Sequence, residues 1–245
     1  MAGQLLLRGM IVGLIAGILA FGFARYFGEP LVDQAIAFEE QQSEAAGLVA
    51  EPEVISRATQ AGLGLFTGIV AFSTAVGGIF ALAFAFAHGR LGSLGPRATS
   101  GVLALAAFIS LVTVPMLKYP ANPPAVGSAE TIGARTELFF VMIVASVFGM
   151  VLAILAARSL YARFGGFRAI VVSGLFYAAF VTIALSLLPS VNEVPENFST
   201  SLLWGFRAVS LAIHFIVWLT IGGLFGWLAE RILVQQSVPA SVYNR

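Results

Sequence analysis

Cysteine is absent from this chain of 245 residues, and charged side chains make up only 10% of it. Without a thiol there can be no disulfide, no thiolate metal site and no cysteine nucleophile. The 13 basic residues nearly balance the 12 acidic ones, so the net charge of +1 gives no sign of a nucleic-acid surface. Only two histidines occur, His88 and His214, which limits the nitrogen ligands available to a metal ion.

The sequence motifs of the familiar enzymes are also missing. There is no P-loop, no G-x-S-x-G elbow, no H-E-x-x-H pair and no dinucleotide fingerprint. We therefore expect no cofactor and no enzymatic activity. An intramembrane enzyme is disfavoured as well, because no paired catalytic groups fall at one depth of the helices predicted below.

Hydrophobic residues make up 59% of the chain, and the mean hydropathy is +0.94. A helix of about 20 apolar residues crosses the hydrocarbon layer and satisfies its own backbone hydrogen bonds. Six segments fit: 5–27, 62–87, 98–117, 138–157, 169–188 and 208–233. We predict an all-α integral membrane protein, a bundle of about six transmembrane helices in a single domain, 1–245.

The charges of the connecting loops predict an orientation. In two loops all of the charged residues are basic. These are Arg90 and Arg97 between spans two and three, and Arg158, Arg163 and Arg168 between spans four and five. The other three loops hold eleven of the twelve acids: Glu29, Asp33, Glu39, Glu40, Glu44, Glu51, Glu53, Glu130, Glu137, Glu193 and Glu196. By the positive-inside rule both termini are cytoplasmic, and the acidic first loop, 28–61, faces outward.

Glycines recur at a spacing of four residues in three of the predicted spans. The sets are Gly9, Gly13 and Gly17; Gly64 and Gly68; and Gly222 and Gly226. Small residues at this spacing let helix backbones approach closely in lipid. We expect these faces to pack against other helices of the same chain, with contact between subunits as the alternative.

Two proline-rich loops are predicted on the outer side. The first proline loop, "KYPANPPAVG" (118–127), follows span three, and the second proline loop, "PSVNEVPENF" (189–198), follows span five. Prolines fix the backbone, so each loop is either a stiff helix end or one wall of an outer vestibule. Asn192 and Glu193 place an amide and a carboxylate oxygen on the second loop, which suits a hard cation. A solvated loop is the alternative.

Three further residues are candidates for handling a cation. His214 is the one histidine inside a predicted span, which suggests a metal ligand or proton carrier, although a packing histidine near Trp218 is an equal alternative. Glu39 and Glu40 lie in the acidic first loop, whose field could concentrate cations. The alternative is a solvated face on a short amphipathic helix, since apolar residues recur there at Leu31, Ala35, Ile36 and Phe38.

Three blocks of sequence resemble one known family. They are "VPMLKYPANPPAVGSAETIGARTELF" (114–139), "LLPSVNEVPENF" (187–198) and "GGLFGWLAER" (222–231). They are similar to the CbtA family, cobalt transporter subunits of bacteria. The resemblance implies a multispan subunit that works with a small, single-span, histidine-bearing partner, CbtB, and whose genes are associated with cobalamin biosynthesis.

The expected function is therefore that of a permease-like subunit of a cobalt uptake system in the bacterial cytoplasmic membrane. The substrate would be a divalent metal cation, with Glu193, Asn192 and His214 along its path and Glu39 and Glu40 gathering it. A competing hypothesis is a non-transporting scaffold or assembly subunit, whose glycine faces hold other membrane proteins. A continuous cavity from the outer loops to His214 would favour transport.

Overall fold

The computed structural model describes residues 2–47 and 54–237, and within them every regular element is helical. Six helices are long and apolar enough to cross a membrane. We number them as spans 1 to 6: Gly3–Ala45, Arg57–Ala87, Pro96–Lys118, Ala129–Phe164, Gly166–Leu187 and Thr200–Leu233. The prediction of an all-α, multi-pass membrane protein with six spans is confirmed.

Several helices extend beyond their apolar segments. Span 1 continues through an α-helix at Glu29–Ala45, the acidic helix, which occupies much of the predicted loop 28–61. Span 4 ends in the α-helix Ile132–Phe164, and span 6 begins with the α-helix Thr200–Thr220 and continues in Gly226–Ser237. These extensions are polar, so hydropathy alone places the helix ends too close to the membrane core. Glu51 and Glu53 of the predicted loop lie outside the described residues.

Four of the spans contain a π-helical stretch, where the hydrogen-bond ladder is locally wider. These stretches are Ala24–Gly28, Gln60–Gly64, Phe108–Thr113 and Ile221–Phe225. The α-helices beside them are Ala2–Phe23 in span 1, Arg57–Thr59 and Leu65–Ala87 in span 2, and Pro96–Ala107 and Val114–Lys118 in span 3. In span 3 the π stretch ends at Thr113, two residues before Pro115, which lacks the amide hydrogen that a regular ladder needs.

The contacts of the described residues group into two compact units. One unit comprises 2–21, 65–106 and 215–237, and the other comprises 22–47, 54–64 and 107–214. The boundaries fall inside spans 1, 2, 3 and 6, so each of these helices contributes to both units.

Glycine contacts dominate the helix packing of the first unit. A Cβ added at Gly13 would lie 2.9 Å from the Cα of Thr74, and one added at Gly9 would collide with the backbone of Gly77. Gly222 and Gly226 pack against residues of span 3, where the Ser100 hydroxyl donates a 2.7 Å hydrogen bond to the Gly222 carbonyl. Packing within the chain is therefore confirmed for these sets.

The prediction was wrong for Gly64 and Gly68. Among the described residues, a Cβ at Gly68 would meet nothing within 4 Å, and one at Gly64 would meet only the carbonyl of Thr59 in its own span. The spacing of small residues shows that a close approach is feasible, but it does not show which face of a helix has a neighbour.

In the second unit, spans 4 and 5 pack along most of their length. Ser146 and Tyr177 share a 2.7 Å hydrogen bond, and buried Met142 and Val181 belong to one hydrophobic cluster. The acidic helix packs through buried Ala35 and partly buried Leu31 and Phe38 onto a second cluster that holds Val126, Phe198, Leu202 and Leu203. The predicted amphipathic helix therefore exists, and its apolar stripe covers the ends of the two proline loops.

Candidate functional site

Two hydrogen bonds join the start of the first proline loop to the start of the second. The Tyr119 hydroxyl donates to the Pro189 carbonyl at 2.8 Å, and the Lys118 ammonium donates to the Ser190 hydroxyl at 2.9 Å. Tyr119 is 9% exposed, and proline restricts the backbone on both sides of the contact. The two loops therefore form one constrained structure.

Glu193 joins the second proline loop to the beginning of span 4. Its Oε2 atom accepts hydrogen bonds from the Ser128 amide at 2.8 Å and from the Thr131 hydroxyl at 2.9 Å. The Nε atom of Arg135 lies 3.4 Å from the same oxygen. The amide of Ser128, then the hydroxyl of Thr131 and the charge of Arg135, stabilise the carboxylate and lower the pKa of Glu193. The side chain is thus ionised and held in one position.

Gly127 makes room for Arg135. Its backbone has a φ of +115°, a conformation that favours glycine, and an added Cβ would collide with the Arg135 guanidinium. Arg135 also donates a 3.0 Å hydrogen bond to the Ser128 carbonyl. The guanidinium is therefore held by the backbone at the end of the first proline loop as well as by the charge of Glu193.

A third connection runs from the first proline loop to span 6. The Arg207 guanidinium donates a 3.0 Å hydrogen bond to the Asn122 side-chain oxygen, and it lies 5.4 Å from the centroid of the Trp204 ring. Arg207 precedes His214 by seven residues, so the two lie on the same face of the helix two turns apart.

These connections surround one cavity of about 650 Å³, which we name the loop cavity. Its walls come from the end of span 3, the two proline loops, the start of span 4 and one side chain of span 6. The lining residues are 116, 119–124, 126, 132, 135, 136, 139, 191, 193 and 214. Its ionisable side chains include Glu193, Arg135, His214 and Tyr119. Residues of both proline loops thus border this cavity, and its role as an outer vestibule stays a prediction.

The structure brings together two of the five predicted site residues. Glu193 and partly buried His214 both line the loop cavity, although 20 residues separate them. Asn192, between two lining residues, is exposed, and Glu39 and Glu40 are exposed on the acidic helix. None of these three lines the loop cavity. Their roles toward a metal ion, like those of Glu193 and His214, stay predictions.

Sequence reasoning missed Arg135 and Arg207. Arg207 was placed just outside span six because a charged residue lowers the hydropathy of its surroundings. A signal for the true helix start was present, since Ser199 is a favourable N-cap residue and its hydroxyl accepts from the Leu202 amide at 3.4 Å. Arg135 carries no comparable signal, because its partner Glu193 lies 58 residues away.

The donor atoms of the loop cavity suit a transition-metal cation in part. A carboxylate and an imidazole are both ligands for such ions, and bound water can complete the coordination. No group of three or more His, Cys, Asp or Glu side chains able to hold a metal ion occurs within 2–47 and 54–237. The described side chains therefore do not form a closed metal centre by themselves.

Comparison with known proteins places the chain in a family. No curated protein and no solved structure matches it. A family model described as "probable cobalt transporter subunit (CbtA)" matches residues 2–230, which includes all six spans up to the last turn and both proline loops. The chain therefore belongs to the CbtA family of probable cobalt transporter subunits.

Proposed function

We propose that this protein is the membrane-spanning, permease-like subunit of a cobalt uptake system in the bacterial cytoplasmic membrane. Both termini would be cytoplasmic, so the proline loops and the acidic helix would face outward. Membership of a family of transporter subunits supports the class of function and implies that other subunits take part. The small, single-span, histidine-bearing CbtB-like subunit is the partner that we propose.

The observation that carries the location of the site is that Glu193 and His214 line one cavity. A hydrated divalent cation would enter between the proline loops, exchange water for the Glu193 carboxylate and then reach the His214 imidazole. Carboxylate oxygen attracts most divalent ions, whereas an imidazole nitrogen favours transition metals over Mg²⁺ and Ca²⁺. Glu193 would therefore attract divalent cations in general, and His214 would then favour the transition metals among them.

The partner would supply what the cavity lacks. With one carboxylate and one imidazole from the described chain, a cobalt ion has most of its ligands from water. A histidine-bearing subunit at the cavity would add nitrogen ligands and draw the ion further from its hydration shell. This division explains why a chain with two histidines and no cysteine can serve a transition metal.

Cobalt accumulation in cells tests the proposal. Cells without their own uptake system would express the chain with and without the CbtB-like subunit, and the variants Glu193→Gln and His214→Leu would be compared at equal protein level. Glu196→Gln is the matched control for the carboxylate, because it lies on the same loop, is exposed and does not line the cavity. His88→Leu is the control for the imidazole.

We expect uptake only when both subunits are present, a several-fold loss in Glu193→Gln and His214→Leu, and wild-type uptake in the two controls. Uptake that is unchanged in both cavity variants would move the ion path away from the loop cavity. A different outcome would support the scaffold function. In that case the partner would need this chain in order to assemble, but cells that overproduce the partner would accumulate cobalt without this chain.

A further inference from the structure

We propose that Arg135 makes the loop cavity selective for the charge of the incoming ion, because its guanidinium holds the place at Glu193 that a cation would take. A divalent ion can displace this resident charge, whereas a monovalent ion cannot. The inference rests on the proposed function, since it concerns the ion that Glu193 would receive. It assigns to Arg135 a role in specificity that neither the sequence nor the family description gives.

The contact between Arg135 and Glu193 is electrostatic and not directional. The Nε atom lies 3.4 Å from Oε2, and in the part of the chain that the structure describes this buried Nε has no hydrogen-bond partner. Strong arginine–carboxylate pairs are instead short and often bidentate. The two side chains are 24% and 22% exposed, although the Nε atom itself is buried. The pair is therefore weaker than a bidentate one, and the rest of each side chain is open to solvent.

Both partners are held by other bonds when they separate. Glu193 keeps the Ser128 amide and the Thr131 hydroxyl, and Arg135 keeps its 3.0 Å bond to the Ser128 carbonyl. Among the described residues all of the Glu193 side-chain contacts use Oε2, and Oε1 accepts no hydrogen bond. An ion that binds the free Oε1 comes close to the guanidinium charge beside Oε2 and has to push it away, which it can do without unfolding the loops.

Coulomb's law gives the selectivity. Replacing the single charge of Arg135 by a single charge at the same distance gains no attraction, and the incoming ion still loses part of its hydration shell. A divalent ion at that distance doubles the attraction to the carboxylate, which can outweigh the lost pair and the lost water. Sodium and potassium are thereby kept off Glu193, although they outnumber any transition metal.

Cobalt binding by the purified full chain in nanodiscs tests this inference. The Kd for Co²⁺ would be measured by titration calorimetry at constant ionic strength, once in sodium chloride and once in choline chloride, whose cation is too large to coordinate a carboxylate closely. We expect the wild-type Kd to be the same in both salts. In choline chloride, Arg135→Gln should bind Co²⁺ about three- to tenfold more tightly than wild type does. In sodium chloride, the Co²⁺ binding of Arg135→Gln should be several-fold weaker than in choline chloride.

Two variants serve as controls. Arg135→Lys keeps the charge and should restore indifference to sodium. Arg57→Gln removes an arginine that pairs with Glu29 and Asp33 and does not line the loop cavity, so it should behave as wild type toward both salts. A merely structural Arg135 would instead lower the folded yield in Arg135→Gln without creating any sensitivity to sodium.

The outcomes separate this inference from the proposed function. Competition by sodium in the wild type, or indifference to sodium in folded Arg135→Gln, overturns the role of Arg135 while cobalt binding at Glu193 stands. If Arg135→Gln does not fold, the wild-type comparison of the two salts still decides. Equal binding of Co²⁺ by wild type and Glu193→Gln, or no binding by the wild type, overturns the site itself.

Discussion

The hydroxyl of Tyr119 donates a 2.8 Å hydrogen bond to the carbonyl oxygen of Pro189, 70 residues later in the chain. Both residues belong to the sequence blocks by which the chain resembles its family. Their bond joins the two proline loops beside the cavity that Tyr119 lines. The shape of the loop cavity therefore depends on a contact between backbone and side chain.

Removing this hydroxyl should loosen the loops without disturbing the helices. In Tyr119→Phe the Pro189 carbonyl loses its partner while the ring keeps its packing, so we expect a loss of about 1 kcal/mol of stability. Thermal unfolding in detergent measures it, with Tyr26→Phe as the control because Tyr26 is 75% exposed. Equal melting temperatures for Tyr119→Phe and wild type would show that the bond does not hold the loops.

A bulky side chain at Gly13 should separate spans 1 and 2. In Gly13→Leu the new side chain would collide with the backbone of Ser73 and Thr74, an overpacking that costs about 1–3 kcal/mol. We expect a several-fold lower yield of folded protein with normal membrane insertion, measured by fluorescence-detected size exclusion. Gly68→Leu, where nothing lies within 4 Å, should keep the wild-type yield. Similar losses in both variants would contradict this packing.

Hydropathy and the spacing of small residues were enough to predict the six spans and most of the glycine contacts. Both depend on local composition, because lipid selects long apolar helices and close backbone approach. The acidic helix was predicted only as a short amphipathic segment, since Glu29–Ala45 has too few apolar residues to show that it continues span 1. Gly68 failed because its neighbourhood depends on tertiary packing.

The candidate site could be predicted only in part for a similar reason. Glu193 and His214 stood out by chemistry and position, but Arg135 and Arg207 acquire their roles from partners far away in the sequence, Glu193 and Asn122. The periodicity of a sequence shows which residues share one face of a helix, but it does not show which residues of the chain pack against that face. The sequence gives no sign that Arg135 and Arg207, which lie near helix ends, connect to the two proline loops.

The bonds to Glu193 predict a dependence of stability on pH. Because the folded pKa of Glu193 lies below its ordinary value of 4.5, the carboxylate contributes stability above pH 4.5 and loses that contribution as the pH falls through the folded pKa. We expect Glu193→Gln to melt below wild type at pH 7, with the difference shrinking as the pH falls below 4.5. Glu196→Gln controls for the loss of one exposed charge. If the difference in melting temperature between Glu193→Gln and wild type did not depend on pH, the ionised carboxylate would not be the cause of the stability.

The orientation in the membrane can be tested with reporters. A fusion after Arg245 or within 158–168 should be active only on the cytoplasmic side, and one within 121–127 should be active only outside, because the loops rich in arginine stay inside. Paired alkaline phosphatase and green fluorescent protein fusions measure this. An opposite result at any one of these points would break the proposed orientation, and with it the access of cobalt from outside to the loop cavity.

Asn122 and Arg207 should be coupled in stability. In Asn122→Ala the guanidinium loses its acceptor, and its buried Nε already has no partner among the described residues, so a charge is left poorly satisfied beside the cavity. We expect Arg207→Met to remove much of this cost, with a coupling energy of about 1–3 kcal/mol in a double-mutant cycle of thermal unfolding. Lys118→Gln, which loses an exposed bond to Ser190, should cost less than Asn122→Ala.

The same three variants show whether these bonds act on the ion or only on the frame of the cavity. Asn122 lines the cavity, but its side-chain oxygen is engaged by Arg207, so cobalt accumulation per folded protein should stay near the wild-type value in Asn122→Ala. Lys118→Gln should also keep wild-type cobalt accumulation per folded protein. A lysine ammonium on the ion path would repel Co²⁺, so we expect Lys118 to lie off that path. Additive effects of Asn122→Ala and Arg207→Met on stability would mean that the 3.0 Å bond is incidental. A loss of cobalt accumulation per folded protein in Asn122→Ala would instead place that amide oxygen on the ion path.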